Sequence, residues 1–220
     1  MGGRRPDKFA LWSAYPNLGA AARRGIHGVG VWTRNNGQHR LELIKEVPGK
    51  VLWFKMDDWL LVANVYLPPS DDVSDILVYL KPPEEGERMP MLVMGDFNMH
   101  IIEVPQSSPA ALRGAILDPL LQSWGLSRVI PETPGPTFRN SRGGTSVVDY
   151  CYTTLPLDAV HLRHSTVHDE SDHYTIVASI DSRVVGRQPA PATVPMGPPR
   201  LRMSKFCAKR YHAAVEPQCR

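Results

Sequence analysis

Residues 91–98 read Met-Leu-Val-Met-Gly-Asp-Phe-Asn, an apolar run that stops at a glycine and is followed by an acid and an amide two residues apart. An apolar run cut by Gly has the pattern of a buried strand where it leaves its sheet. On an extended chain, residues two apart point the same way. Asp96 and Asn98 then share a face at the strand mouth, and Phe97 turns into the packing. A carboxylate there can bind Mg²⁺ or move a proton, and a carboxamide beside it donates and accepts hydrogen bonds without adding charge. Gly, Asp and Asn are also turn formers, so the stretch alone reads equally well as a turn after a core strand.

Three more clusters follow the same logic. Tyr66, in Asn-Val-Tyr-Leu-Pro-Pro, closes an apolar run; it can offer its hydroxyl to a phosphate oxygen or simply cap a sheet edge. Asp149, in Ser-Val-Val-Asp-Tyr, enters an apolar strand, where a half-buried carboxylate needs a partner such as His or Arg. Ser171-Asp172-His173 precedes the last clear strand and can supply a metal-binding carboxylate and an imidazole from one loop. His161, His164 and His168 suggest zinc by their number. The residues around them read as strand and loop and no Cys pair is near, so no zinc site is expected there.

The elements that must position these residues are mostly strands. Residues 28–33, 41–46, Val51–Met56, 59–67, 91–96, 147–153, 159–164 and 174–180 all carry strand patterns, and Pro48-Gly49 turns the second into the third as a hairpin. A short helix is expected at Val73–Leu80, behind the acidic Asp71-Asp72. Residues 109–124 space Leu112, Ile116, Leu120, Leu121 and Trp124 helically and stop at Gly125; Pro119 should kink this helix or divide it. Residues 131–146 read as a long loop. The expected fold is α/β (α+β), with two packed sheets flanked by helices. Residues 1–26 read as an irregular N-terminal segment, 27–184 as the folded domain, and 185–220 as a Pro/Arg-rich linker with a basic tail.

Composition sets limits around this core. The chain has 220 residues, 42% of them hydrophobic, enough for one domain with a real core. Its net charge is +3, with arginines concentrated near the start and through the last forty residues, which suits a polyanionic partner. Cys151, Cys207 and Cys219 are an odd number without Cys-x-x-Cys spacing, so no disulfide framework is expected. No apolar run reaches membrane-spanning length, and the start lacks the pattern of a secretory signal or a myristoylation site. An intracellular setting is expected, the nucleus included, with no membrane partner.

Taken together and in order, Tyr66-Leu-Pro-Pro, Gly95-Asp96-Phe-Asn98, Ser146-Val-Val-Asp149-Tyr and Ser171-Asp172-His173 resemble the endonuclease/exonuclease/phosphatase superfamily over roughly residues 27–182. The wording around Asp149, the Trp12-Ser-Ala-Tyr-Pro-Asn17 segment and the Gly-Val-Gly-Val-Trp strand look like the endonuclease domains of non-LTR retrotransposons. The resemblance implies a four-layer sandwich and Mg²⁺-dependent phosphodiester hydrolysis on DNA, with Mn²⁺ able to replace Mg²⁺. His173 would sit on the scissile phosphate, oriented by Asp149. Asp96 would activate water or serve the leaving oxygen, with Asn98 positioning it. Asp172 would help hold the metal and Tyr66 would bond a phosphate oxygen. Thr137, Ser146 and Asn140 would contact the nucleic acid or brace the loop. The family's first strand and its metal-binding Gln-Glu pair have no match here, so a chain truncated at its start, with weakened metal binding and low activity, is expected. The alternatives are a non-catalytic relic that binds nucleic acid and a phosphatase of the same fold acting on a small phosphoester.

Overall fold

The continuous apolar runs of the central strands, with successive residues pointing to opposite faces, place the core on both faces of one sheet. The computed structural model of the chain describes residues 9–14, 29–34, 39–101, 108–165, 171–181, 183–184 and 186. Its main sheet contains β3 (Leu41–Val47), β4 (Val51–Met56), β5 (Leu60–Tyr66), β6 (Met91–Asp96), β7 (Ser127–Arg128) and β10 (Asp149–Thr153), in the order β3–β4–β5–β6–β10–β7. The β5–β6 pair is parallel and the β6–β10 pair antiparallel. A parallel step needs a crossover, and α1 (Val73–Leu80) lies in that connection. Lys45 of β3 secures its C-terminal end by donating to the carbonyl oxygens of Val78, Tyr79 and Lys81.

One face of the sheet, with Leu61, Ala63 and Val65 of β5, Val93 of β6 and Tyr152 of β10, packs on Ile76 and Leu80 of α1 and on Leu117 and Leu121 of α2 (Pro109–Ser123). The opposite face, with Leu60, Leu92 and Cys151, packs on β11 (Val160–His164) and β12 (Ile176–Ile180). Nearer the other edge, Leu52 and Phe54 of β4 meet Val29 of β2 (Val29–Arg34), which pairs with β1 (Phe9–Ala14). The mixed α/β reading with strands packed on a sheet therefore holds. Among the described residues, the second strand layer consists of two separate pairs, β1–β2 and β11–β12.

The structure departs from the sequence reading at several points. β1 falls in the segment read as irregular, and it forms by pairing with β2 along its whole length. Within the 131–146 loop, β8 (Phe138–Arg139) and β9 (Thr145–Ser146) make a small hairpin. Helix α2 runs unbroken through Pro119. Proline removes one main-chain donor, and the buried Leu117 and Leu121 on either side keep the helix on the sheet. Ser108 caps its start, accepting from Ala111 N at 3.2 Å. Leu112 and Ile116, two of the helically spaced apolar residues, are 58% and 49% exposed, while Arg113 and Gly114 face inward. Gly114 explains the rotation. A Cβ there would lie 2.1 Å from the His100 carbonyl oxygen, and His100 N donates to Ala110 O at 2.9 Å. The helix backbone rests directly on the chain that follows Asn98. His168, Cys207, Cys219 and the basic tail lie outside the described residues.

Gly95 governs how closely β5 and β6 approach at the strand mouth. Its φ is +141°, and a Cβ would lie 2.0 Å from Val65 O, a contact with backbone that cannot move aside. Gly95→Ala is expected to destabilise the fold by about 3 kcal/mol, lowering Tm by roughly 6–12 °C for a chain of this size. A thermal melt checks this; a shift within about 2 °C would mean the close approach is not enforced.

Candidate active site

Strand register gathers the candidate residues. Asp96, the last residue of β6, is level with Tyr66 on β5 and with Asp149 on β10. Residues level with one another on neighbouring strands project to the same face. The three side chains therefore stand in a row on the face turned away from the helices. Phe97 takes the other face, fully buried, with its ring 6.1 Å from that of Tyr150 and 5.6 Å from that of Tyr152. The pairing continues past the strand end, with Leu67 N donating to Asp96 O at 2.8 Å and Phe97 N to Val148 O at 3.0 Å.

Asn98 reaches Asp96 through a turn. Its φ of +45° is left-handed, a region that Asn tolerates better than most residues. Asn98 N donates to Asp96 Oδ1 and Asn98 Nδ2 to Asp96 Oδ2, each at 2.9 Å, and Nδ2 also donates to Leu67 O at 3.1 Å. Both carboxylate oxygens of Asp96 are thereby held by one neighbour. Tyr150, which the sequence reading left without a role, steadies the chain beyond: its hydroxyl donates toward Val147 O at 3.0 Å and accepts from Ile101 N at 3.2 Å.

His173 arrives on a different segment. Arg139 N donates to Asp172 O and Tyr174 N to Thr137 O, both at 2.8 Å, so the β8–β9 hairpin holds residues 172–174 in place. The Phe138 ring lies against the imidazole, with centroids 5.0 Å apart. His173 Nδ1 is 3.0 and 3.2 Å from the two Asp149 oxygens, and Nε2 is 3.9 Å from Asp96 Oδ2. A carboxylate only accepts, so Nδ1 carries the shared proton and Nε2 is left toward Asp96. The partner that a half-buried Asp149 requires is this histidine.

The loop residues divide. Thr137 is fully buried, and its hydroxyl accepts from Val148 N at 2.9 Å and Asp149 N at 3.0 Å. That geometry braces the start of β10. Ser146 lines a cleft of about 360 Å³ beside the site, with Asn98, His100, Arg113 and Phe138. Asn140 is exposed at the hairpin tip, where its Oδ1 accepts from Arg142 N and Gly144 N, each at 2.9 Å. Asp172 is exposed next to His173. His161 and His164 lie on β11 as a strand, and His161 pairs with Glu132 at 3.1 Å.

Burial, and then the charge of Asp149, push the Asp96 carboxyl up to about 6, although its bonds from Asn98 and the nearby His173 pull the other way. The Asp149 hydrogen bond raises His173 against the opposing effect of burial, helped by the charges of Asp149, Asp96 and Asp172. Burial and the charges of Asp96 and Asp71 raise Tyr66, so its hydroxyl stays protonated at neutral pH and is a donor. The result is one carboxyl that titrates near neutrality beside an imidazole that favours its cationic form. Such a pair can move a proton and stabilise negative charge within one site. Among the described residues, no group of three or more His, Cys, Asp or Glu side chains is arranged to hold a metal ion. The described residues therefore do not make a protein-built metal cage.

The sequence profile of the endonuclease-reverse transcriptase family matches residues 60–177, just over half of the chain and the whole span from Tyr66 to His173. The chain belongs to the endonuclease-reverse transcriptase family. Among solved structures, the endonuclease domain of TRAS1, a telomere-specific non-LTR retrotransposon, is similar with a TM-score of 0.60 at 20% identity, over 78% of this chain and 80% of that one. An endonuclease/exonuclease/phosphatase family protein from Leptotrichia buccalis is similar with a TM-score of 0.50 at 18% identity, over 80% of this chain and 73% of that one. No curated protein sequence matches the chain. As an endonuclease-reverse transcriptase family member with the endonuclease/exonuclease/phosphatase fold, it has the framework of a nuclease or phosphodiesterase.

The position of Asp96 has a consequence for stability. Its carboxyl keeps its proton to about 6 in the folded chain, against 3.8 for the ordinary group. Between those values the folded state holds the extra proton, so stability falls as pH rises through the window, and the full cost of an ionised, half-buried Asp96 is present above it. Asp96→Asn removes that cost. The stability of the variant relative to the parent is expected to rise by about 1–3 kcal/mol between about pH 4 and pH 8, on top of a pH-independent loss from the one Asn98 hydrogen bond that a carboxamide cannot accept. Urea melts at the two pH values check this, and a difference between variant and parent that does not change with pH would contradict the burial account.

Proposed function

We propose that this chain hydrolyses phosphodiesters in DNA as a retrotransposon-type endonuclease, with Asp96, Asn98, Asp149, His173 and Tyr66 as its working groups. One observation carries the proposal. His173 is bonded to Asp149 through Nδ1, with Nε2 turned toward a half-buried Asp96 whose carboxyl titrates near 6. In that arrangement Asp149 fixes the ring and favours the imidazolium, which meets a non-bridging phosphate oxygen through Nε2–H. Ionised Asp96 takes a proton from water as the water oxygen bonds to phosphorus. The phosphorus–oxygen bond to the leaving sugar breaks, the leaving oxygen takes a proton from solvent water, and Asp96 returns the proton it took to solvent. Asn98 keeps the Asp96 oxygens aimed, and the Tyr66 hydroxyl donates to a second phosphate oxygen. Ser146 and Asn140, on the hairpin beside the site, contact the strand.

The proposal includes Mg²⁺, with Mn²⁺ as a substitute and Asp172 as its protein ligand. Bound there, the ion would neutralise charge developing on the phosphate. Mg²⁺ keeps several waters and commonly takes few carboxylates beside phosphate oxygens, which suits one exposed carboxylate at the edge of the site. The likeness to the TRAS1 endonuclease domain supports a nucleic acid over a small phosphoester.

The test is nicking of supercoiled plasmid. The parent chain is expected to nick with Mg²⁺ and stop with EDTA, and Asp96→Ala or His173→Ala is expected to lose about 10²–10⁴-fold in rate. Folded protein that binds DNA in a salt-sensitive way and never nicks it would replace the proposal with a non-catalytic, DNA-binding one. Turnover of small phosphoesters without action on DNA would replace it with a phosphatase.

A further inference from the structure

We infer that Arg113, near the start of α2, is a positioning residue that fixes the strand end carrying Tyr66 against the turn carrying Asn98; the inference rests on the function proposed for those two residues. Arg113 is 6% exposed on the buried side of the helix. A guanidinium so placed must satisfy its donors within the protein. Its bonds run to main-chain carbonyls. Nη2 donates to Pro69 O at 2.8 Å and Asp71 O at 3.0 Å, and Nη1 makes longer bonds to Asn98 O at 3.4 Å and Leu67 O at 3.5 Å. Leu67 directly follows Tyr66, and its carbonyl also accepts from Asn98 Nδ2. One planar fork thus joins the chain after Tyr66, the loop leading to α1 and the turn over Asp96.

Two neighbouring features hold the fork in place. Gly114 lets α2 lie against the His100 main chain, which brings Arg113 within reach of the Asn98 carbonyl. On the far side of the loop, Lys50 Nζ pairs with the Asp71 carboxylate and hydrogen-bonds the Tyr79 hydroxyl at 3.1 Å. The loop between Leu67 and Asp71 is therefore gripped from both sides. Lysine cannot replace this arginine: an ammonium is a point charge on a single stem, whereas the guanidinium spreads its donors across a rigid plane that addresses four carbonyls at once.

Arg113 acts through Asn98, which holds both oxygens of Asp96, and through the strand end after Tyr66, so its loss re-aims these two groups and leaves the contacts proposed for Ser146 and Asn140 in place. In plasmid nicking, Arg113→Lys is expected to lower kcat roughly 10–100-fold with KM within about threefold, the pattern of misaimed groups. Arg113→Met is expected to do the same. Amide hydrogen exchange supplies a readout independent of cleavage. The amides of Leu67 and Asn98, which donate to Asp96, are expected to exchange at least about tenfold faster in Arg113→Lys, while those of Val129 and Thr154, bonded within the sheet to Cys151 O and Met91 O, keep their protection. Equal acceleration at all four, unchanged exchange at Leu67 and Asn98, or an active parent whose kcat survives Arg113→Lys would overturn the inference. A parent chain that does not nick DNA ends the proposed function, and the exchange comparison then decides the role of Arg113 alone.

Discussion

Side chains at the ends of two strands meet only if hydrogen-bond register brings those ends level. In this protein that condition is met twice around β6, in parallel with β5 and antiparallel with β10, and both pairings place a candidate residue opposite Asp96. Everything else at the site is built onto that alignment. Gly95 permits it by offering no Cβ to Val65, and Leu67 and Phe97 extend the pairing one step past the strands. The helices contribute from the opposite face, holding the sheet and the chain beyond Asn98 without lending a side chain to the row.

Two carboxylates side by side would repel one another, and the site answers with neutral donors and one imidazole. Asn98 binds both oxygens of Asp96 without bringing a charge. His173 serves Asp149 directly and Asp96 at longer range. The carboxylates are thereby made unequal. Asp149 holds the His173 ring by a hydrogen bond, whereas burial keeps the Asp96 carboxyl near 6.

The sequence revealed the positions of Tyr66, Asp96, Asp149 and His173 because each stands where an apolar run begins or ends, and such boundaries are visible in one dimension. It also revealed the β3–β4 hairpin and α1, whose periods are strong. What it hid has a common cause. β8 and β9 are two residues each, too short to have a period, and exist through Thr137 and the partner strands. β1 is defined by β2. The face of α2 was hidden because Leu112 and Ile116 fit an apolar stripe better than Arg113 and Gly114 do. A buried arginine and a contact glycine override hydrophobic period through hydrogen bonding and close approach, which no periodicity measure contains. For Thr137 the sequence left two roles open, contact with the strand or bracing of the loop, since a hydroxyl that serves two main-chain amides looks in sequence like any loop threonine.

The alternation of Asp96 and Phe97 also bears on mispairing. Because strand side chains alternate with a period of two, sliding β6 by one residue exchanges the two environments. Phe97 would move out to water at the strand mouth, and the Asp96 carboxylate would enter the aromatic cluster of Tyr150 and Tyr152. Both changes are unfavourable, the second strongly so for an unpaired charge. The same dipeptide that equips the site therefore proofreads the sheet: the correct alignment is the one in which the acid remains outside, and each neighbouring alignment carries its own penalty.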